Sequence, residues 1–258
     1  MPDQNPPDVA RERARSFARR FDGRRLSQYR DIPIFAAPGV HERALQRLQG
    51  VAAPGARVLE LGAGSGAMSR RLADAGFAVS ACDLFSETFV PAGEIPFHTA
   101  DLNDRFSSAL AGDWEAIVAL ELIEHLENPR NFLRECRRLL RPGGVLVLST
   151  PNLSNPASQA LFLRDGDFQW YSEKDYVEQG HIMPIAPSVL RRCAAEQGLV
   201  LLNESSVGNP FRQMRSLRKL GKRLVGHLLA LMSTTPASLR GEVYMAVWQV
   251  PHDAPPKA

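Results

Sequence analysis

The sequence predicts an α/β protein built on a mostly parallel sheet with helices on both faces. Three observations predict it. Short apolar runs alternate with amphipathic helical patterns, the signature of repeated βαβ units. One apolar run, "VLEL", leads straight into a glycine-rich turn and then a helical pattern, within "VLELGAGSGAMS" (Val58 to Ser69). Several of the apolar runs that follow end on an acid, at Asp83, Asp101 and Glu121. In open parallel sheets the strand ends are where ligands sit.

The elements follow in order. "GVHERALQRLQGVA" places Val40, Ala44, Leu45, Leu48 and Val51 at helical spacing, and Pro54-Gly55 ends the pattern. Strands are expected at 57–61, in "FAVSACD" to Asp83, in "PFHTAD" to Asp101 and in "EAIVALE" to Glu121. "RNFLRECRRLL" gathers Phe132, Leu133, Cys136, Leu139 and Leu140 on one face, and Arg141-Pro142-Gly143-Gly144 stops it. "VLVLSTPN" is the fifth strand. Residues 153–185 are irregular and rich in aromatics, and read as a long insertion of functional type. "APSVLRRCAAEQG" resumes a helix, with Ser188 as N-cap and Gly198 past its end. "LVLLNESS" and "GEVYMAVWQV" are the last two strands. The expected organisation is an Arg-rich tail over 1–30, a single domain over 31–251 and a short tail over 252–258.

Composition narrows the class. The 258 residues are 44% hydrophobic and 23% charged, with a net charge of +3, the profile of a globular domain rather than a nucleic-acid binder. The three cysteines, Cys82, Cys136 and Cys193, have no C-x-x-C spacing, which fits a reducing, cytoplasmic setting and no disulfide framework. The N-terminal stretch carries no apolar run of secretory type.

The glycine turn fits two fingerprints. Gly62 to Ala67 reads as G-x-G-x-x-A, a dinucleotide site; from Glu60 it reads as acid-x-G-x-G-x-G. Small residues at 62, 64 and 66 let main-chain N–H groups approach a ligand at a helix N-terminus. Asp83, ending the second strand, suits ribose hydroxyls in either case. Glu60 breaks the tie, because a buried carboxylate needs a cationic or donor-rich partner, and the ammonium of S-adenosylmethionine supplies one. Asp101 can accept from an adenine amine, or cap a turn.

With these pieces the chain resembles the class I S-adenosylmethionine-dependent methyltransferases. The matching segments are "VLELGAGSGAMSRRLA", "VSACDL", "TADLND", "ALELIEHLENP" and "RPGGVLVLSTPN". The resemblance implies a Rossmann-like seven-stranded sheet in the order 3-2-1-4-5-7-6 with the last strand antiparallel. It also implies that Gly62, Ala63, Gly64 and Gly66 surround the methionine moiety and that Glu60 holds its amino group. Asp83 would bind the ribose, Asp101 the adenine amine, and Leu84 and Leu102 would flank the ring. Ala119, Leu120 and Glu121 would line the cofactor after strand four.

The acceptor side is less determined. His125, in "LELIEHLENP", and His181, in "QGHIMPIAPSVLRRCAAEQGLVL", are the candidate bases, either of which can instead support a loop. The second segment resembles the quinone-type and polysaccharide-associated methyltransferases, which implies O-methylation of a small-molecule, quinone-like or glycan- or lipid-linked hydroxyl. Phe168, Trp170 and Tyr171 form a lid or pack, and Tyr29 and Arg30 close over the cofactor. Glu124-His125 does not match H-E-x-x-H, so no metal is expected. A dehydrogenase reading lacks a Tyr-x-x-x-Lys set; a non-catalytic scaffold would not need Glu60, Asp83 and Asp101 together. "FRQMRSLRKLGKRLVGHLLALM" (211–232) reads as a basic amphipathic helix that covers the sheet, meets a partner or lies on an anionic membrane. No nucleic-acid module accompanies its charge.

Overall fold

A computed structural model describes residues 27–212 and 220–253. Residues 1–26 of the predicted tail, 254–258 at the other end and 213–219 of the basic segment, with Met214, Arg215, Leu217, Arg218 and Lys219, lie outside the described residues.

The chain opens with a hairpin, β1 (Gln28–Tyr29) and β2 (Ile32–Pro33), followed by α1 (Val40–Gln49). The central part of the sheet follows: β3 (Arg57–Leu61), α2 (Ala67–Asp74), the three strands β4 (Ala78–Asp83), β5 (Phe97–Thr99) and β6 (Trp114–Leu120) with no α-helix between them, then α3 (Pro129–Leu139) and β7 (Leu140–Pro151). Three helices follow, α4 (Pro156–Asp165), α5 (Glu173–Gln179) and α6 (Pro187–Glu196). The chain ends with β8 (Val200–Val207), α7 (Leu220–Met232) and β9 (Val243–Gln249).

Seven strands form one sheet in the order β5-β4-β3-β6-β7-β9-β8. Counted from β3 this is 3-2-1-4-5-7-6, and β9 alone runs against its neighbours, pairing antiparallel with both β7 and β8. This is the Rossmann-like architecture expected from the sequence. Successive side chains of a strand point to opposite faces, so Val58 packs on one side while Leu59 and Leu61 pack on the other. α1 and α2 cover the Val58 face through Val40, Ala44, Leu48, Met68 and Leu72. α3 and α6 cover the opposite face through Phe132, Leu133, Cys136, Leu190 and Ala194. The three cysteines are buried free thiols.

Several local expectations are corrected. Residues 153–185 are not irregular throughout, because α4 and α5 lie within them. Neither shows an apolar stripe. α4 runs Leu161, Phe162 and Leu163 in succession, and α5 buries no residue at all. Capping defines them instead. Asn155 accepts from the Ser158 N–H (2.8 Å) with Pro156 in the first turn, and Ser172 and Asp175 form a reciprocal capping box. At α6 the N-cap is Ala186, with Pro187 opening the helix and no side-chain cap, so Ser188 does not have the predicted role. The fifth strand starts at Leu140 rather than Val145, with a register shift opposite β6 that absorbs Arg141 to Gly144.

Candidate functional site

β3, β4 and β6 end at the same sheet edge, and the glycine turn lies between them. Gly62, Gly64 and Gly66 all have left-handed backbone, with φ of 73°, 53° and 84°. A Cβ at Gly66 would meet Pro91 Cδ at 2.5 Å and Phe89 at 2.7 Å, and one at Gly62 would meet Leu122 at 2.9 Å. The turn is therefore enclosed on both sides, by the 85–91 segment and by the loop after β6. Ala63 is buried.

Asp83 pins the turn. Its Oδ2 accepts from the Gly64 N–H (2.7 Å) and its Oδ1 from the Leu84 N–H (2.6 Å). Burial raises its pKa, while the N–H groups of Gly64, Leu84 and Phe85 pull the other way. With three N–H groups on its two oxygens, the carboxylate keeps one further lone pair for a ligand hydroxyl. Glu60 lies 4% exposed in β3 and accepts from the Ser69 hydroxyl on the first turn of α2. Burial, offset in part by Ser69 and reinforced by Asp83, pushes it up to about 8. A carboxyl so placed fits a cationic ligand group, the requirement that the ammonium of S-adenosylmethionine meets. Asp101 forms a turn, its Oδ1 accepting from the Asn103 N–H (2.9 Å), while Leu102 is buried beside it and Leu84 is partly open.

Beyond β6, Ala119 and Leu120 are buried main-chain neighbours of the edge, and the chain turns at Glu121 with φ of 49°. The Ser149 hydroxyl of β7 donates to the Glu121 carboxylate (2.7 Å). Burial, eased by Ser149 and reinforced by Glu242, pushes Glu121 up to about 7. A single 3-10 turn then carries Ile123 to His125. Glu124 is fully buried; Oε2 accepts from Thr150 Oγ1 (3.0 Å), and burial followed by the Glu121 charge raises its pKa strongly.

The segment around His181 folds back onto this turn. The N–H groups of Ile182 and Met183 both donate to the Glu124 carbonyl (2.9 Å each), and His125 Nδ1 donates to Gly180 O (3.2 Å). His181 Nδ1 donates to Trp170 O (2.7 Å). The two imidazoles meet edge to face at 4.9 Å, with the Tyr171 ring 5.7 Å from His181. Burial, then the neighbouring His181, pushes His125 down to about 4, and burial lowers His181 as well.

The edge thus has two halves. The Asp83 charge bears on Glu60, and the Glu121 charge bears on Glu124. Sequence reasoning brought forward both histidines but missed their joining to Glu124, and missed Ser69, Ser149 and Thr150, which carry no local motif. The predicted aromatic trio divides. Tyr171 reaches His181, whereas Phe168 stacks on Phe162 of α4 at 4.6 Å. Tyr29 and Arg30 do not close over the edge. Tyr29 Oη donates to Asp74 (2.8 Å) and Arg30 pairs with the same carboxylate (2.8 Å), in the last turn of α2. The residues that do cover the glycine turn from the N-terminal hairpin are Pro33, whose carbonyl accepts from Ser65 Oγ (2.5 Å), and Phe35, packed over Gly64.

Comparison with known proteins agrees with the architecture. A family model described as a methyltransferase domain matches residues 34–204. The chain is 36% identical over 119 residues to a protein named ubiquinone biosynthesis O-methyltransferase from Xanthomonas campestris pv. campestris, covering 43% of this chain and 49% of that one. It is 32% identical over 188 residues to the protein of the same name from Dechloromonas aromatica, covering 67% and 76%. The chain spans about half the length of the first of these relatives. A solved TehB-like SAM-dependent methyltransferase from Corynebacterium glutamicum shares the fold with a TM-score of 0.53 at 16% identity, over 95% of this chain and 98% of that one.

Proposed function

The chain belongs to the class I S-adenosylmethionine-dependent methyltransferases, and from that premise we propose that it methylates a hydroxyl oxygen of a small-molecule acceptor of quinone-like or glycan- or lipid-linked type. The observation that supports this reading best is the pairing, at one sheet edge, of a buried carboxyl that calls for a cation with two neutral imidazoles. The relatives named for ubiquinone biosynthesis favour an oxygen acceptor.

Bound at this edge, S-adenosylmethionine supplies an electrophilic methyl on its sulfonium. The protein's task is then alignment, exclusion of water and removal of one proton. Glu60 holds the ammonium, with Gly62, Ala63, Gly64 and Gly66 allowing close main-chain approach. Asp83 accepts from a ribose hydroxyl, Asp101 from the adenine amine, and Leu84 and Leu102 flank the ring. The main chain at Ala119, Leu120 and Glu121 lines the far side. His125 and His181 face the acceptor.

α7 further serves as a contact for an anionic membrane surface. Leu224, Leu228, Leu231 and Met232 are exposed, the last two at 84% and 81%, on a helix that also carries Arg223. Among the described residues no helix is long and apolar enough to cross a membrane.

Calorimetry tests the core of the reading. S-adenosylhomocysteine is expected to bind at micromolar concentration and NAD not at all; binding of NAD alone would overturn it. Transfer of labelled methyl from S-adenosylmethionine to hydroxylated quinones or lipid-linked glycans then identifies the acceptor.

A further inference from the structure

Glu124, His125 and His181 each offer a donor atom to one common space, and those atoms lie within 4.8 Å of one another. Their protons are already committed elsewhere. His125 Nδ1 faces Gly180 O and His181 Nδ1 faces Trp170 O. A carbonyl oxygen only accepts, so each Nδ1 carries its ring's proton and each Nε2 presents a lone pair. Glu124 Oε2 is held by Thr150, while Oε1, fully buried, has no hydrogen-bond partner among the described residues. Glu124 Oε1 is therefore a buried polar atom without a partner, an arrangement that burial ordinarily penalises.

We propose that Glu124, His125 and His181 form a binding site for a divalent transition-metal ion, a two-histidine, one-carboxylate set whose open positions take the acceptor's hydroxyl oxygen. Two independent features match. A ligating histidine normally gives its other N–H to a main-chain carbonyl or a carboxylate, which fixes tautomer and ring orientation, and both imidazoles here do so. The buried Glu124 Oε1 is the uncompensated atom that a cation satisfies. Imidazole donors favour zinc, iron(II) or cobalt(II) over magnesium. Ligands about 2.0–2.2 Å from such an ion are roughly 3–3.5 Å apart, so a modest inward rotation of these side chains completes the set. The main-chain clamp from Ile182 and Met183 to Glu124 O keeps both halves in place. Glu121, alongside, brings a second carboxylate, so two acids can balance a dication.

The local sequence pattern hides this site. Glu124 and His125 are adjacent, but the third donor comes from a distant segment, and no H-E-x-x-H spacing exists to announce it.

The site deepens the methyl-transfer reading and rests on it for its chemical use. A cation coordinated to a hydroxyl lowers its pKa and makes the oxygen available as a nucleophile near neutral pH. The O–H proton leaves to water, the oxygen forms its bond to the methyl carbon, and the carbon–sulfur pair returns to sulfur, giving a methyl ether and S-adenosylhomocysteine.

The test uses the full chain, stripped with chelator and titrated with zinc(II) and cobalt(II), with bound metal counted by mass spectrometry and cobalt followed by its visible d–d bands. About one equivalent per chain is expected. Glu124→Gln, His125→Asn and His181→Asn are each expected to weaken metal binding at least tenfold while S-adenosylhomocysteine affinity stays within about twofold. His125→Gln and His181→Gln are second variants should an Asn replacement unfold. Wild-type protein that binds S-adenosylhomocysteine but no stoichiometric metal would overturn the site and leave the methyltransferase reading standing. Metal bound without any S-adenosylhomocysteine affinity would do the reverse. Variants that bind cobalt with unchanged spectra would also dispose of the site.

Discussion

Glu60 shows how one residue links sequence to chemistry. Its folded pKa, about 8, lies above the ordinary value of 4.5. Between those values the folded state keeps a proton that the unfolded state has lost, so this group makes stability fall as pH rises from about 4.5 to about 8, then level off. Glu60→Gln in the cofactor-free protein is expected to remove that slope. Urea midpoints at pH 6 and pH 9 should then differ less than in wild type, with a gain of about 1–3 kcal/mol at pH 9; an unchanged difference would contradict it. The same variant is expected to weaken S-adenosylhomocysteine binding at least tenfold. At Gly66, both the φ of 84° and the approach of Pro91 and Phe89 oppose a side chain. Gly66→Ala is expected to cost about 1–3 kcal/mol in urea unfolding. The glycines and acids of this edge were legible because motif spacing along one strand–turn–helix unit is local. Ser69 was not, since nothing in the chain announces that a hydroxyl nine residues on returns to Glu60.

At the scale of elements, strands and long helices followed from periodicity, and the insertion did not. α5 buries no residue and is held by its Ser172–Asp175 box and the left-handed Gly180 at its end. Ser172→Ala is expected to cost about 1 kcal/mol locally, read as faster amide hydrogen exchange over 173–179 with little change in global unfolding. Equal exchange in both proteins would show that other contacts hold the helix. Capping residues were present in the sequence as Asn155-Pro156 and Ser172-x-x-Asp175, but without an apolar stripe beside them such signals do not distinguish a helix from a turn. The hairpin turn at Arg30 and Asp31 was equally hidden, both residues adopting left-handed backbone without a glycine.

For the whole molecule, α7 packs against α4 yet leaves Leu224, Val225, Leu228, Leu231 and Met232 open to solvent. Part of its charge is internal, with Lys222 paired to Asp165 and, just before the helix, Arg212 paired to Glu242. Flotation with vesicles rich in anionic lipid is expected to carry the protein upward, and Leu228→Glu to reduce the bound fraction several-fold. Wild-type protein remaining wholly in the soluble fraction would remove the membrane contact.

The sequence by itself determined the sheet, its strand order through the resemblance it carries, and the half of the edge built on β3, β4 and the turn between them. Those features depend on short-range patterns, in which side-chain period and turn chemistry act within one βαβ unit. Only the tertiary structure decided the other half. Glu124 and His125 come from the loop after β6, His181 from the far end of the insertion, and main-chain hydrogen bonds between the two segments bring their donor atoms together. Proximity of that kind is a property of the folded chain, because the contacts that enforce it are backbone groups, which every residue possesses and no sequence motif records.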